Sequence, residues 1–208
     1  MKLTEAGIQN ALRDALAATG ASSDGYAEIE VNRETAPKCA AVLIPLVCPG
    51  GDWQILFTRR TQHVESHKGQ VSFPGGACDE QDPGPVETAL RETLEEIGVE
   101  PGAIRVLGRL TNMITVTGFR VTPIVGILPW PSVFRLNEQE VERIFTIPLT
   151  WLANPGNRWE LPFPGTDRQV VIFRPYDGEL VWGATARMTL DFLQIVGNQA
   201  PRSTADQP

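Results

Sequence analysis

The sequence predicts an α/β fold, on three observations. Lys38 to Val47 is an apolar, β-branched-rich run, and Trp53 to Arg59 follows it across Pro49-Gly50-Gly51-Asp52, the pattern of two strands joined by a turn. Pro83 and Pro85 stand where a helix opens and Gly98 where one closes, so Val86 to Ile97 reads as a bounded helix. Near the end of the chain Ala184, Met188, Phe192 and Ile195 recur at helical spacing, which core packing explains without a cofactor.

The remaining elements follow in order. Thr4 ahead of Ile8, Leu12, Ala15 and Leu16 predicts a capped amphipathic helix ending near Gly20. Ala21 to Pro37 is polar and reads as a surface connector. From Arg59 to Lys68 the balance turns basic, with Arg59, Arg60, His63, His67 and Lys68 against Glu65. Val71 to Phe73 then leads into Pro74-Gly75-Gly76, where paired glycines let backbone approach a ligand closely. Ile104 to Leu110 and Arg120 to Leu128 read as strands, the second interrupted by Pro123, with the polar loop Thr111 to Gly118 between them. Asn137 to Ile147 places Glu138, Glu140 and Glu142 in a short helix or turn before Pro148. Trp151 to Leu161 and Gln169 to Arg174 suggest further strand and loop, with Tyr176-Asp177-Gly178 as a turn.

A chain of 208 residues fits one domain with embellishments. The expected division is an N-terminal helix and connector over 1–35, the domain proper over 36–197 and a polar tail over 198–208. A net charge of −7 argues against nucleic acid or an anionic membrane as the main partner. Cys39, Cys48 and Cys78 form no CxxC pair and are odd in number, which predicts buried free thiols in a reducing compartment. No apolar run approaches the roughly 20 residues that span a bilayer, and the N-terminus lacks a signal-peptide pattern. The expectation is a cytoplasmic protein.

The chemistry concentrates in Glu92, Glu95 and Glu96. Projected at about 100° per residue, the helix places Val86, Ala89, Leu90, Thr93, Leu94 and Ile97 on one side and the three acids on the other. An acidic helix face is ordinarily just solvated. Here Glu95 and Glu96 lie in the last turn, against the negative end of the helix dipole, and Arg91 alone cannot neutralise three carboxylates. A divalent cation could. Oxygen ligands at i, i+3 and i+4 suit a hard ion, Mg²⁺ or Mn²⁺, better than zinc.

Gly76 with Arg91-Glu92-Thr93-Leu94-Glu95-Glu96-Ile97-Gly98-Val99 resembles the Nudix box, the strand-loop-helix motif of Mg²⁺-dependent hydrolases that cut a diphosphate linked to another moiety. The family box has a Glu six residues after the glycine; Asp82 holds that place here, and the spacing to Arg91 is one residue longer. Leu56-Phe57-Thr58-Arg59-Arg60-Thr61 and Gly69-Gln70-Val71-Ser72-Phe73-Pro74-Gly75-Gly76 are similar to the signature preceding the box in coenzyme A pyrophosphatases, where the longer, Asp-containing loop also occurs. Glu65 stands where that signature usually has an Arg. Gly118 to Pro123 and Trp182 to Thr185 are similar to further segments of the same group, so the likeness covers most of Ala36 to Val196.

The resemblance implies an α/β/α sandwich with a mixed sheet, and a set of roles. Glu92, Glu95 and Glu96 would be metal ligands together with a backbone carbonyl of Gly75 or Gly76, and Arg91 would orient the acids. Glu140 would be a candidate base, brought by a late loop. Arg59 and Lys68 would pair with substrate phosphates. The implied substrate is coenzyme A or an acyl derivative, with ADP-ribose or another nucleoside diphosphate derivative as the alternative. A non-catalytic nucleotide-binding module on the same fold is the alternative of another class. The partner is then a small molecule, and a homodimer is left open.

Overall fold

The computed structural model describes residues 3–19, 36–62, 68–162 and 169–197. The chain forms, in order, α1 (Glu5–Thr19), β1 (Lys38–Val47), β2 (Gln54–Arg60), β3 (Val71–Ser72), β4 (Gly75–Ala77) and α2 (Pro85–Ile97). Then come β5 (Arg105–Arg109), β6 (Met113–Ile114), β7 (Phe119–Ile127), β8 (Val141–Pro148), α3 (Leu149–Ala153), β9 (Arg158–Pro162), β10 (Gln169–Phe173) and α4 (Gly183–Gly197). His63, Glu65, His67, most of the connector and the polar tail lie outside the described residues.

Eight strands make one mixed sheet, with the path β3-β2-β1-β7-β5; β4 pairs with β1, β6 with β7 and β8 with β2. β1 runs parallel to β7 from Lys38–Phe119 to Leu46–Ile127, and its other neighbours are antiparallel. Period-2 alternation divides the sheet's side chains between two cores. Ala41, Leu43, Val47, Leu56 and Ile124 pack with Ala89 and Ile97 of α2. Ile44, Leu46, Ile55, Phe57 and Val125 point the other way, against Ile8 and Leu12 of α1 and Phe192 and Val196 of α4. The result is a helix layer on each side of a mixed sheet, the expected α/β/α arrangement.

Local chemistry sets the helix ends. Thr4 Oγ1 accepts from the Gly7 N–H at 3.1 Å to open α1. Gly98 closes α2 in the left-handed region at φ 71°, its N–H donating to the Leu94 carbonyl.

Several expectations are corrected. β7 runs unbroken through Pro123. The Pro123 carbonyl accepts from Leu110 N–H, so its nitrogen faces the same side, where the ladder passes from β6 to β5 and no donor is needed. Trp151 belongs to the short helix α3 rather than to a strand, and the loop from Thr111 to Gly118 contains β6. On α4, Ala184 is exposed, and Thr185, Met188, Thr189 and Phe192 form the buried face instead.

The free-thiol expectation also fails, for two of the three cysteines. Cys39 and Cys78 form a disulfide, while Cys48 is free. Ala40 opposes Ala77 in the β1–β4 ladder, which sets the next pair outward face to face. An odd count with no CxxC spacing cannot reveal a cross-strand bond that only the register creates.

Candidate active site

The site is built where β4 hands the chain to α2 and the end of β2 passes alongside. Two glycines make the approach possible. At Gly75, with φ 150°, a Cβ would lie 2.4 Å from the Ala41 carbonyl oxygen, so only glycine lets β4 close onto β1. At Gly76 a Cβ would lie 2.6 Å from the Glu92 carboxyl carbon, so the absent side chain is the space the carboxylate fills.

The helical projection put the three acids together on the side away from the core, but their exposures differ widely. Glu95 is 54% exposed, Glu92 16% and Glu96 3%, so the three run from the surface into the core. Glu96 lies among the buried residues of the helix, with Thr93 and Ile97. Among the described residues no three Asp, Glu, His or Cys side chains converge as a ready-made metal cage. The acids are instead paired with cations: Arg91 Nη1 sits 2.8 Å from Glu92 and 3.2 Å from Glu95, and Arg60 Nη1 lies 3.6 Å from Glu96.

Arg91 is anchored more firmly to the loop than to the acids. Its Nε donates to Asp82 Oδ1 at 3.1 Å and its Nη2 to Asp82 Oδ2 at 3.0 Å, with the Ala77 carbonyl accepting a further bond at 3.2 Å. These bonds, then the Asp79 N–H, hold the Asp82 carboxyl well below the usual carboxylate range. The Thr88 hydroxyl also donates to Asp82. Asp82, standing where the family motif has its loop Glu, is thus committed to bracing the loop against α2.

Glu92 and Glu96 are perturbed the other way. Burial is the largest cause for each, raising Glu92 above its ordinary value and pushing Glu96 up to about 8. For Glu96 the Arg60 charge and the Gly75 N–H oppose the rise, while Glu92 and Glu140 add to it. The carboxylate of Glu140 is therefore part of this electrostatic group, although it comes from the turn before β8; its backbone carbonyl accepts from Thr61 N–H and its side chain from Asn137.

Arg59 and Arg60 part company at the end of β2. Arg59 faces the α4 side, 3.3 Å from Glu142 and 3.4 Å from the buried Glu179, which Arg143 also contacts at 3.1 Å. The β2–β8 register shifts here, pairing Arg59 with Arg143 and Arg60 with Val141, so Glu142 is the extra residue of a bulge. Arg60 faces α2 and the acids. Sequence reasoning singled out Arg59 and passed over Arg60. The signal was present: Leu56, Thr58 and Arg60 alternate onto one face of β2, and Leu56 belongs to the core beneath α2. Lys68 is exposed, in a turn with Gly69.

The residues present fit a hard divalent cation. Glu96 Oε2 is buried without a hydrogen-bond partner, Glu92 rests in the Gly76 cradle, and the donors are oxygens throughout.

The sequence matches the NUDIX domain over residues 37–163. The chain belongs to the Nudix family. It is 43% identical over 158 residues to the uncharacterized Nudix hydrolase NudL of Yersinia enterocolitica, covering 76% of this chain and 80% of that one. It is 39% identical over 173 residues to the uncharacterized Nudix hydrolase NudL of Escherichia coli K12, covering 81% and 88%. Among solved structures, a MutT/nudix family protein from Enterococcus faecalis superposes with a TM-score of 0.52 at 16% identity, over 95% of this chain and 76% of that one. The MutT protein of Methanosarcina mazei Go1 gives 0.50 at 17% identity, over 80% and 96%. Both likenesses speak to the fold.

Proposed function

We propose that this Nudix protein is a divalent-metal-dependent pyrophosphohydrolase whose substrate is coenzyme A or an acyl derivative. The observation that carries the hydrolase reading is the unpartnered, buried carboxylate oxygen of Glu96 beside Glu92 on the glycine loop. Desolvating an acid to this degree costs stability, and a bound cation would offset that cost. The coenzyme A assignment rests on Leu56 to Thr61 and Gly69 to Gly76, the signature ahead of the box. The domain is proposed to run over 36–197, because α4 packs on the same core as the matched region. The cytoplasm is the proposed location, against which the Cys39–Cys78 disulfide weighs, since a reducing compartment disfavours it; among the described residues no helix is long and apolar enough to cross a membrane.

Glu92 and Glu96, with Glu95 and the Gly75 carbonyl, would hold Mg²⁺ or Mn²⁺. Such an ion, when bound, lowers the pKa of coordinated water and neutralises charge on the leaving phosphate. Arg91, fixed by Asp82, keeps Glu92 and Glu95 at their stations. Glu140 stands within electrostatic range of both buried acids and would take the proton as water adds to one phosphorus. The bridging P–O bond then breaks and its electron pair leaves on the second phosphate, yielding adenosine 3′,5′-bisphosphate and 4′-phosphopantetheine. Lys68 and Arg59 would meet the substrate's other phosphate, Arg59 only by releasing Glu142 or Glu179.

The test is product analysis by mass spectrometry in ¹⁸O-water with coenzyme A, acetyl-coenzyme A, ADP-ribose and a dinucleotide. Mg²⁺-dependent cleavage of the first two in preference to the others is the expected result. Preference for ADP-ribose would replace the substrate, and binding of coenzyme A with no cleavage of any compound would replace the activity.

A further inference from the structure

Arg60 and Glu96 meet in an unusual way. Their charged ends are 3.6 Å apart, beyond hydrogen-bond distance. Both groups also keep an unused polar atom, since Arg60 Nε and Glu96 Oε2 are buried without a hydrogen-bond partner. Arg91 and Asp82, another guanidinium–carboxylate pair, close two direct hydrogen bonds between the same helix and the loop before it. A pair kept for stability would be expected to do likewise, because a loose buried pair does not recover its desolvation cost. Arg60 is 24% exposed, so its head can turn outward, whereas Glu96 cannot follow.

We propose that Arg60 is an exchange residue, held against Glu96 while no divalent cation is bound and passing to the substrate diphosphate when one takes its place. This deepens, and rests on, the metal-dependent hydrolase reading. A guanidinium presents a planar fork of donors that matches two phosphate oxygens, so the released side chain gains on the substrate what it gives up at Glu96. Metal and diphosphate then bind with positive coupling, each clearing Arg60 from the other's path. Glu92 and Glu140, the other charges acting on Glu96, are both acids and cannot do this.

The test measures Mg²⁺ affinity by calorimetry on the substrate-free protein at several alkaline pH values, each variant being compared where its affinity no longer changes with pH. Steady-state KM is measured alongside. Arg60→Gln should bind Mg²⁺ roughly 10-fold more tightly, because the competing cation is gone, and should raise KM for the diphosphate substrate by a similar factor. Arg60→Lys, which keeps the charge but not the fork, should bind Mg²⁺ like the wild type with KM still raised. In a Glu96→Gln background, Arg60→Gln should leave Mg²⁺ affinity unchanged. If the wild type binds Mg²⁺ and Glu96→Gln weakens it, but Arg60→Gln binds no more tightly or leaves KM unaltered, the exchange is overturned and the hydrolase reading stands. If the wild type does not bind Mg²⁺, or Glu96→Gln makes no difference, the hydrolase reading itself falls.

Discussion

Arg91 grips Asp82 through both carboxylate oxygens, at 3.1 and 3.0 Å, and so fixes the loop after β4 to the middle of the helix that carries the acids. The same guanidinium touches Glu92 and Glu95. Loop position and acid position are therefore one variable.

Asp82→Asn should uncouple them. It keeps the shape and removes the charge, so the fold should survive; on the proposed ligand role of Glu92 and Glu95, Mg²⁺-dependent turnover should fall roughly 10- to 100-fold, the usual cost of losing a partner one step behind a metal ligand. Circular dichroism beside the turnover assay separates the two effects; full activity in Asp82→Asn would show that the loop holds without it.

The two neighbouring glycines should fail differently. Gly75→Ala places a methyl against the Ala41 backbone at a φ unsuited to other residues, so soluble yield and melting temperature should drop, with a penalty of about 1–3 kcal/mol or more. Gly76→Ala meets the movable end of Glu92, so stability should be nearly kept while the Mg²⁺ needed for half-maximal activity rises. Equal thermal losses in both variants would contradict this.

Glu96 should make the metal-free protein less stable as pH rises. Its pKa in the fold is raised to about 8 from the ordinary 4.5, so between those values the folded state holds a proton that the unfolded state has released. Stability then declines across that window and levels off above it. Glu96→Gln should flatten this contribution, worth on the order of a few kcal/mol at its upper end, while reducing turnover about 100-fold or more. Urea titrations with EDTA across the window would show whether the slope belongs to Glu96.

Reduction of the Cys39–Cys78 bond should lower stability by about 2–4 kcal/mol, the usual effect of opening a loop of this size. Because it ties β1 to the strand entering the site, apparent Mg²⁺ affinity should weaken with it. Cys39→Ser, insensitive to dithiothreitol, should match the reduced wild type in both respects.

Much of this was legible from local pattern. Pro85 and Gly98 bracket α2, Thr4 opens α1, and the runs either side of Pro49-Gly50-Gly51 became β1 and β2 because those signals act within a few residues. What stayed hidden depends on partners far along the chain. Whether Glu96 is wet or dry depends on β2 and β4 closing over it, which no helical projection contains. Arg59 and Arg60 look alike until it is known which face of β2 meets α2. The Cys39–Cys78 bond exists because of the β1–β4 register, and that register follows from Gly75 fitting beneath Ala41.

The parallel pairing of β1 with β7 bears on how the molecule comes into being. Strands that far apart in sequence must find each other before either is buried, a slow search compared with hairpin closure. During synthesis β1 would wait, half covered, until β7 leaves the ribosome, and α2 would have no complete sheet to settle on until then. Pulsed hydrogen exchange during refolding should accordingly show the amides of Val42, Ile44 and Leu46 gaining protection together with those of Thr122, Ile124 and Gly126, and not before.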